Sequence, residues 1–256
     1  MQEVLLTAVG VGGATVVGAL IGLFFKNPSH KLNDIILSFA AGIMLSAAVM
    51  GLIIPSLESP NGGISALIVT VAGIFCGAIC LNLIDKLVPH LHKLTGMGAV
   101  EEPHPQKNEQ LNKVLLFVIA IAIHNLPEGI AAGVSFGGGD VAQALTVAGG
   151  IALQNIPEGM VIIAPMMASG MSRGRTFLIA ALTGAVEVVG TFIGYFAASI
   201  SVAVLPFALA FAGGTMLYVI SDEMIPETHS HGNERVSTYS LLVGFCVMLV
   251  FDVLLG

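Results

Sequence analysis

The sequence predicts an all-α integral membrane protein, an eight-transmembrane-helix bundle in which helices 4 and 5 are broken. Three observations predict it. Of the 256 residues, 55% are hydrophobic and only 10% charged, where an ordinary soluble domain carries about 25% charged residues. Such a chain, with a mean hydropathy of +0.94, cannot cover itself with a polar surface, so lipid must be its solvent. Second, apolar stretches of membrane-spanning length recur along the whole chain. Third, two of them carry near-identical proline-containing hexapeptides, His124-Asn125-Leu126-Pro127-Glu128-Gly129 and Gln154-Asn155-Ile156-Pro157-Glu158-Gly159.

The spans run over 3–25, 35–57, 63–88, 114–136, 141–169, 174–199, 202–226 and 237–255, within one transmembrane domain covering 1–256. Each is near the ~20 residues that a bilayer core requires. The first is preceded by no basic residue, only Gln2 and Glu3, and is too long for a signal-peptide core, so it reads as a retained span. The one long polar connection is 89–113, whose prolines and charges (Glu101, Glu102, Pro103, His104, Pro105, Lys107) predict a mobile loop.

All nine Lys and Arg fall on alternate connections: Lys26 and Lys31 after span 1, Lys86, Lys93, Lys107 and Lys113 after span 3, Arg173 and Arg175 after span 5, Arg235 after span 7. The other connections carry none. The positive-inside rule then puts the protein in the cell membrane with both termini outside the cytoplasm and the 89–113 loop inside. Six of the seven histidines share that cytoplasmic side, and only His124 lies within a span.

Nine basic residues against a net charge of −7 exclude a nucleic-acid partner. Cys76, Cys80 and Cys246 sit in apolar runs, show no disulfide framework, and read as packing residues. GxxxG pairs at Gly18/Gly22, Gly73/Gly77 and Gly190/Gly194 predict close helix approaches, and one of these faces could equally support a homodimer.

The chemistry is in the doubled motif. Residues four apart share a helix face, so His124 with Glu128 and Gln154 with Glu158 each form one coordinating edge. Asn125 and Asn155 sit about 100° around from the first ligand and can address a second position nearby. Pro127 cannot donate to the Ile123 carbonyl, nor Pro157 to that of Leu153, so each helix is expected to kink and free an oxygen. In a membrane, that is tolerated only where the backbone lines protein or a wet cavity. The glycine after each glutamate leaves room for a partner helix.

Span 6 adds a third intramembrane carboxylate, Glu187, and span 7 ends on an acidic stretch with Asp222 and Glu223; Met44 of span 2 can add a thioether. Taken singly, His124 reads as a hydrogen-bonded packing residue and Met44 as core. Taken together, the carboxylates are costly, because no Lys or Arg lies in the middle of the spans to pair with them. A metal dication, protons or a water-filled path must compensate. Imidazole with carboxylates and amides suits a borderline divalent ion, Zn²⁺ first, with Fe²⁺, Mn²⁺ and Cd²⁺ open. The absence of thiolates at the motif argues against Cu⁺, and Mg²⁺ would not call for histidine. No prosthetic group is expected.

On these residues the chain resembles the ZIP family of divalent-metal transporters, over essentially its whole length. The two hexapeptides carry the resemblance, with Glu187 in span 6 and Leu217-Tyr218-Val219-Ile220-Ser221-Asp222-Glu223 in span 7. Glutamine opening the second motif is similar to the prokaryotic GufA-like branch. The resemblance implies a binuclear centre midway through the membrane. Its first site would use Met44, His124, Glu128, Gln154 and Glu158; its second, Asn125, Glu128, Asn155, Glu158 and Glu187, with both motif glutamates bridging. Some relatives carry aspartate where this chain has Asn155, which weakens the charge of the second site. The resemblance also implies import toward the cytoplasm, with Glu223 and Asp222 lining the exit.

Two other readings remain at this point. A channel-like metal pore would use the same ligands. An intramembrane metallohydrolase would want a fixed metal and HExxH-like spacing, whereas this chain has H-x-x-x-E with a proline and no evident nucleophile.

Overall fold

A computed structural model of the chain describes residues 1–25, 29–58, 62–87, 122–168, 170–200 and 203–255. Among the described residues every regular element is helical. The expected loop over 89–113 and the first part of the expected fourth span, 114–121, lie outside the described residues.

In chain order the helices are α1 (Gln2–Gly22), α2 (His30–Leu57), α3 (Ile64–Leu87), α4 (122–134), α5 (Val141–Val161), α6 (Arg173–Ile200), α7 (Leu205–Thr228) and α8 (Glu234–Leu255). A 3₁₀ turn, Ser135–Gly138, leads from α4 toward α5, and a short helix, Ile163–Ala168, continues α5. Six of these helices (α1, α2, α3, α6, α7 and α8) are long and apolar enough to cross a membrane. In α5, the polar residues Gln143, Gln154, Asn155 and Glu158 dilute the hydropathy of an otherwise apolar helix. Of α4 only 122–134 is described.

Local sequence explains several helix ends. Ser29 accepts a hydrogen bond from the Leu32 N–H at 3.2 Å and so caps α2, and Asp140 does the same for α5 with the Gln143 N–H at 3.1 Å. The chain between α4 and α5 turns at Gly139, whose φ of 78° only glycine adopts without strain.

Pro127 and Pro157 lie inside runs of uninterrupted α-helix. The helical irregularities sit elsewhere, as π-helical turns at Ala47–Ile53 in α2 and Ile220–Met224 in α7. Each precedes an Ile-Pro pair, Ile54-Pro55 and Ile225-Pro226. These prolines cannot donate to the carbonyls of Gly51 and Asp222, and the widened turn relieves their clash with the preceding turn. The π turn of α7 contains Asp222 and Glu223.

Helix α2 is central and mostly buried, while α3 and α8 are peripheral and mostly exposed. Its main neighbours are α8, α7 and α5; α1 lies against α5 and α6, and α3 against α7. Large apolar side chains point outward from the peripheral faces, among them Ile68 and Phe75 of α3, Leu178 and Leu182 of α6, and Val250 and Val253 of α8. That arrangement is stable only with hydrocarbon as solvent.

Between helices in lipid there is little hydrophobic driving force, so close packing and polar contacts do the joining. The three GxxxG faces serve this inside the chain: Gly18/Gly22 meet α5, Gly73/Gly77 meet α7, and Gly190/Gly194 meet α4. All three are covered by helices of the same chain. The packing role expected for the cysteines is corrected in part. Cys76 and Cys246 are exposed, facing outward where a thiol serves as a small apolar group, and only Cys80 is half-buried.

Candidate metal centre

The polar residues of the doubled motif converge where α1, α4, α5 and α6 meet. Helix α4 supplies His124, Asn125 and Glu128, α5 supplies Gln154, Asn155 and Glu158, and α6 supplies Glu187. Asn125, Glu128, Gln154, Asn155 and Glu187 are buried, while His124 and Glu158 are half-buried. Glu128 lies in the electrostatic reach of Glu158 and Glu187, and Glu158 in that of His124.

Glycines make the convergence possible. A Cβ on Gly129 would run into the Glu187 carbonyl of α6, and one on Gly159 into the Thr15 carbonyl of α1. Each motif thus ends on the residue that lets its helix reach the neighbour bearing the next polar group.

Glu187 is the best-held group. Its Oε1 accepts from Thr15 Oγ1 and from Asn125 Nδ2, each at 2.6 Å, and its Oε2 accepts from Asn155 Nδ2 at 2.5 Å. The Asn155 amide also donates to the Val11 carbonyl at 3.2 Å. Four helices are tied through one carboxylate. By contrast, Glu128 Oε2, both amide atoms of Gln154 and Asn155 Oδ1 are buried without a hydrogen-bond partner. Gln154 lies beside Glu128 without meeting it in hydrogen-bond geometry. Each such orphan costs about 1–3 kcal/mol, so several at one place mark a site built for something else to fill.

Glu223 of α7 reaches the centre from outside the motif, its Oε1 lying 2.8 Å from His124 Nε2. Asp222 is exposed and does not join it. Met44 is fully buried on α2, within the apolar cluster shared with Ile151 of α5 and Met216 of α7. Among the described residues no three His, Cys, Asp or Glu side chains stand in metal-holding geometry. Glu187 is engaged by amides and His124 by Glu223, so a cation would have to exchange these contacts.

Thr15 and the Val11 carbonyl were not legible as site groups. The available signal was a hydroxyl in mid-span on the same small-residue face as Gly18. We predict that Thr15→Val, which keeps the shape and removes the donor, lowers stability by about 1–2 kcal/mol, within the range for membrane side-chain hydrogen bonds. A thermal midpoint in detergent equal to that of the parent would show that the contact carries no weight.

A family profile described as ZIP Zinc transporter matches residues 90–252. The chain belongs to the ZIP family. Among its relatives, a zinc transporter GufA from Myxococcus xanthus is 43% identical over 249 residues, covering 96% of each chain. A zinc transporter ZIPB from Bordetella bronchiseptica is 37% identical over 248 residues, covering 95% of this chain and 78% of its own. A zinc transporter ZupT from Chlorobium chlorochromatii is 34% identical over 248 residues, covering 93% and 92%. The ZIP chain is thus a multi-pass membrane transporter of the GufA-like branch and not an enzyme. The metallohydrolase reading ends there.

Proposed function

We propose that this ZIP chain imports divalent transition-metal ions, zinc foremost, through eight membrane spans by alternating access around a fixed mid-membrane site. The observation that carries the reading is the set of buried carboxylates and partnerless polar atoms at Glu128, Gln154 and Asn155, with Lys and Arg confined to the ends of the spans, away from them. The one-sided basic connections support cytoplasmic placement of the 89–113 loop, both termini outside, and inward transport.

The ion sheds water against Glu128 and Glu158, with His124, Gln154 and Met44 completing the first site. Carboxylates, an amide and one imidazole hold Zn²⁺ less firmly than thiolates, which suits a site that must also release. The carbonyls of Ile123 and Leu153, to which Pro127 and Pro157 cannot donate, offer further oxygens within helices that otherwise run on unbroken. Glu223, paired with His124, takes the ion next as the inner side opens, and the exposed Asp222 follows at the surface.

The second site, at Asn125, Asn155 and Glu187 with the motif glutamates bridging, fills only when the amides turn their oxygens toward the ion. Without metal they hold Glu187 by their nitrogens instead. Asn155→Asp is therefore expected to destabilise the metal-free protein by setting a carboxylate beside Glu187, and to strengthen second-site binding about tenfold. Thermal midpoints with and without Zn²⁺, read beside the bound-metal stoichiometry, check this: a variant whose midpoint gains no more from Zn²⁺ than the parent's refutes it.

The transport reading itself is tested by Zn²⁺ uptake into proteoliposomes with Fe²⁺, Mn²⁺ and Cd²⁺ as competitors, at two pH values. Saturable Zn²⁺ uptake with graded competition is expected. Uptake no greater than in protein-free liposomes would end the reading, and flux that does not saturate would favour a pore.

A further inference from the structure

A second polar group lies outside the centre, where the connection after α7 folds against the start of α2. Asp34, in the first turns of α2, is 2% exposed, and among the described residues it meets no Lys or Arg. Its Oδ1 lies 3.0 Å from His231 Nδ1, and its Oδ2 accepts from Asn233 Nδ2 at 2.8 Å. The ring of His30, the first residue of α2, stacks on that of His231 with centroids 4.6 Å apart and planes 25° from parallel. Gly232, with φ 77°, makes the turn that lets His231 and Asn233 reach the same carboxylate.

An ionised carboxylate can only accept, so it places the proton of His231 on Nδ1 and leaves the Nε2 lone pair, 3.4 Å from Ser230 Oγ, able to accept. Proteins prepare imidazoles for metals in this way. His30 is exposed beside it, so its ring has room to turn out of the stack and offer a second imidazole nitrogen. Asp34 is used up in orienting His231 and is not a third ligand.

We propose that His30 and His231, oriented by Asp34, bind a divalent transition-metal ion at the end of the bundle to which Glu223 leads. Two imidazoles with water in the remaining positions make an exchangeable site, suited to a borderline ion such as Zn²⁺. Its service as acceptor of the released ion rests on the import reading; the binding does not.

The test is Zn²⁺ titration of the full chain in detergent against a chromophoric indicator. The parent should bind an additional ion relative to His231→Ala and to His30→Ala, and Asp34→Asn should weaken that ion by about tenfold to a hundredfold. The difference should persist in a Glu128→Ala/Glu158→Ala background, from which the mid-membrane ions are gone. Equal binding by the parent and both histidine variants would overturn the proposal. Should the histidine variants fold poorly, Co²⁺ added to the parent must broaden the ring resonances of His30 and His231, and undisturbed rings would overturn it equally. If the histidine-dependent ion persists while Glu128→Ala leaves uptake intact, the transport reading fails and this site stands.

Discussion

Glu128→Ala or Glu158→Ala is expected to lower Zn²⁺ uptake into proteoliposomes by at least about a hundredfold. Each removes a carboxylate from a place where nothing else in the spans carries compensating charge, and where a dication must leave its water behind. Losing about 3 kcal/mol of ion binding corresponds to roughly a hundredfold in affinity, and removing one partner from a buried charge pair costs about 3–5 kcal/mol. Glu128 should be the more damaging position. It is buried, has an oxygen without a partner, and lies within reach of both other glutamates. Initial uptake rates at equal reconstituted protein are the measurement. Normal uptake by either variant would remove the motif glutamates from the transport path.

Gly129→Ala and Gly159→Ala are expected to damage the protein as severely through folding. In each case the added methyl meets a backbone carbonyl of another helix, Glu187 of α6 or Thr15 of α1, and a backbone cannot rotate aside as a side chain can. Overpacking of this kind costs about 1–3 kcal/mol, which for a chain of this size lowers the thermal midpoint by about 2–12 °C. The same shift also pulls Glu187 and Thr15 away from the amides of Asn125 and Asn155, so uptake should fall even in protein that remains folded. Gly10→Ala is the control, since nothing lies within 4 Å of a Cβ there. If all three variants melt alike, the close approach is not what holds these helices together.

The all-helical, membrane-embedded character was legible because it depends on composition and length, which a chain states outright. A run such as Ile64–Leu87 has no soluble alternative, and its backbone must close its own hydrogen bonds. The chemical character of the centre was legible for a related reason. Glu128, Glu158 and Glu187 are so costly in lipid that their presence, without a basic residue in the middle of any span, already demands a cation or protons. The four-residue spacing then placed each motif's pair on one helix face.

What the sequence could not tell is how residues far apart in the chain meet. Glu187 has only apolar residues and glycines beside it in sequence, yet it is held by Thr15, Asn125 and Asn155 from three other helices. His124 faces Glu223 across almost a hundred intervening positions, while the adjacent Asp222 points out. The π turns fall just before Ile54-Pro55 and Ile225-Pro226, and not at Pro127 or Pro157 of the doubled motif. The physical reason is common to all three. Burial cost, helix formation and helical periodicity are properties of a segment, so the sequence by itself determined that this protein spans membranes and what kind of ion its polar residues suit. Interhelical hydrogen bonds and backbone close approach are properties of pairs of segments. Only the tertiary structure, by packing α1, α4, α5 and α6 around Glu187, decided which polar atoms are already satisfied and which stand without a partner.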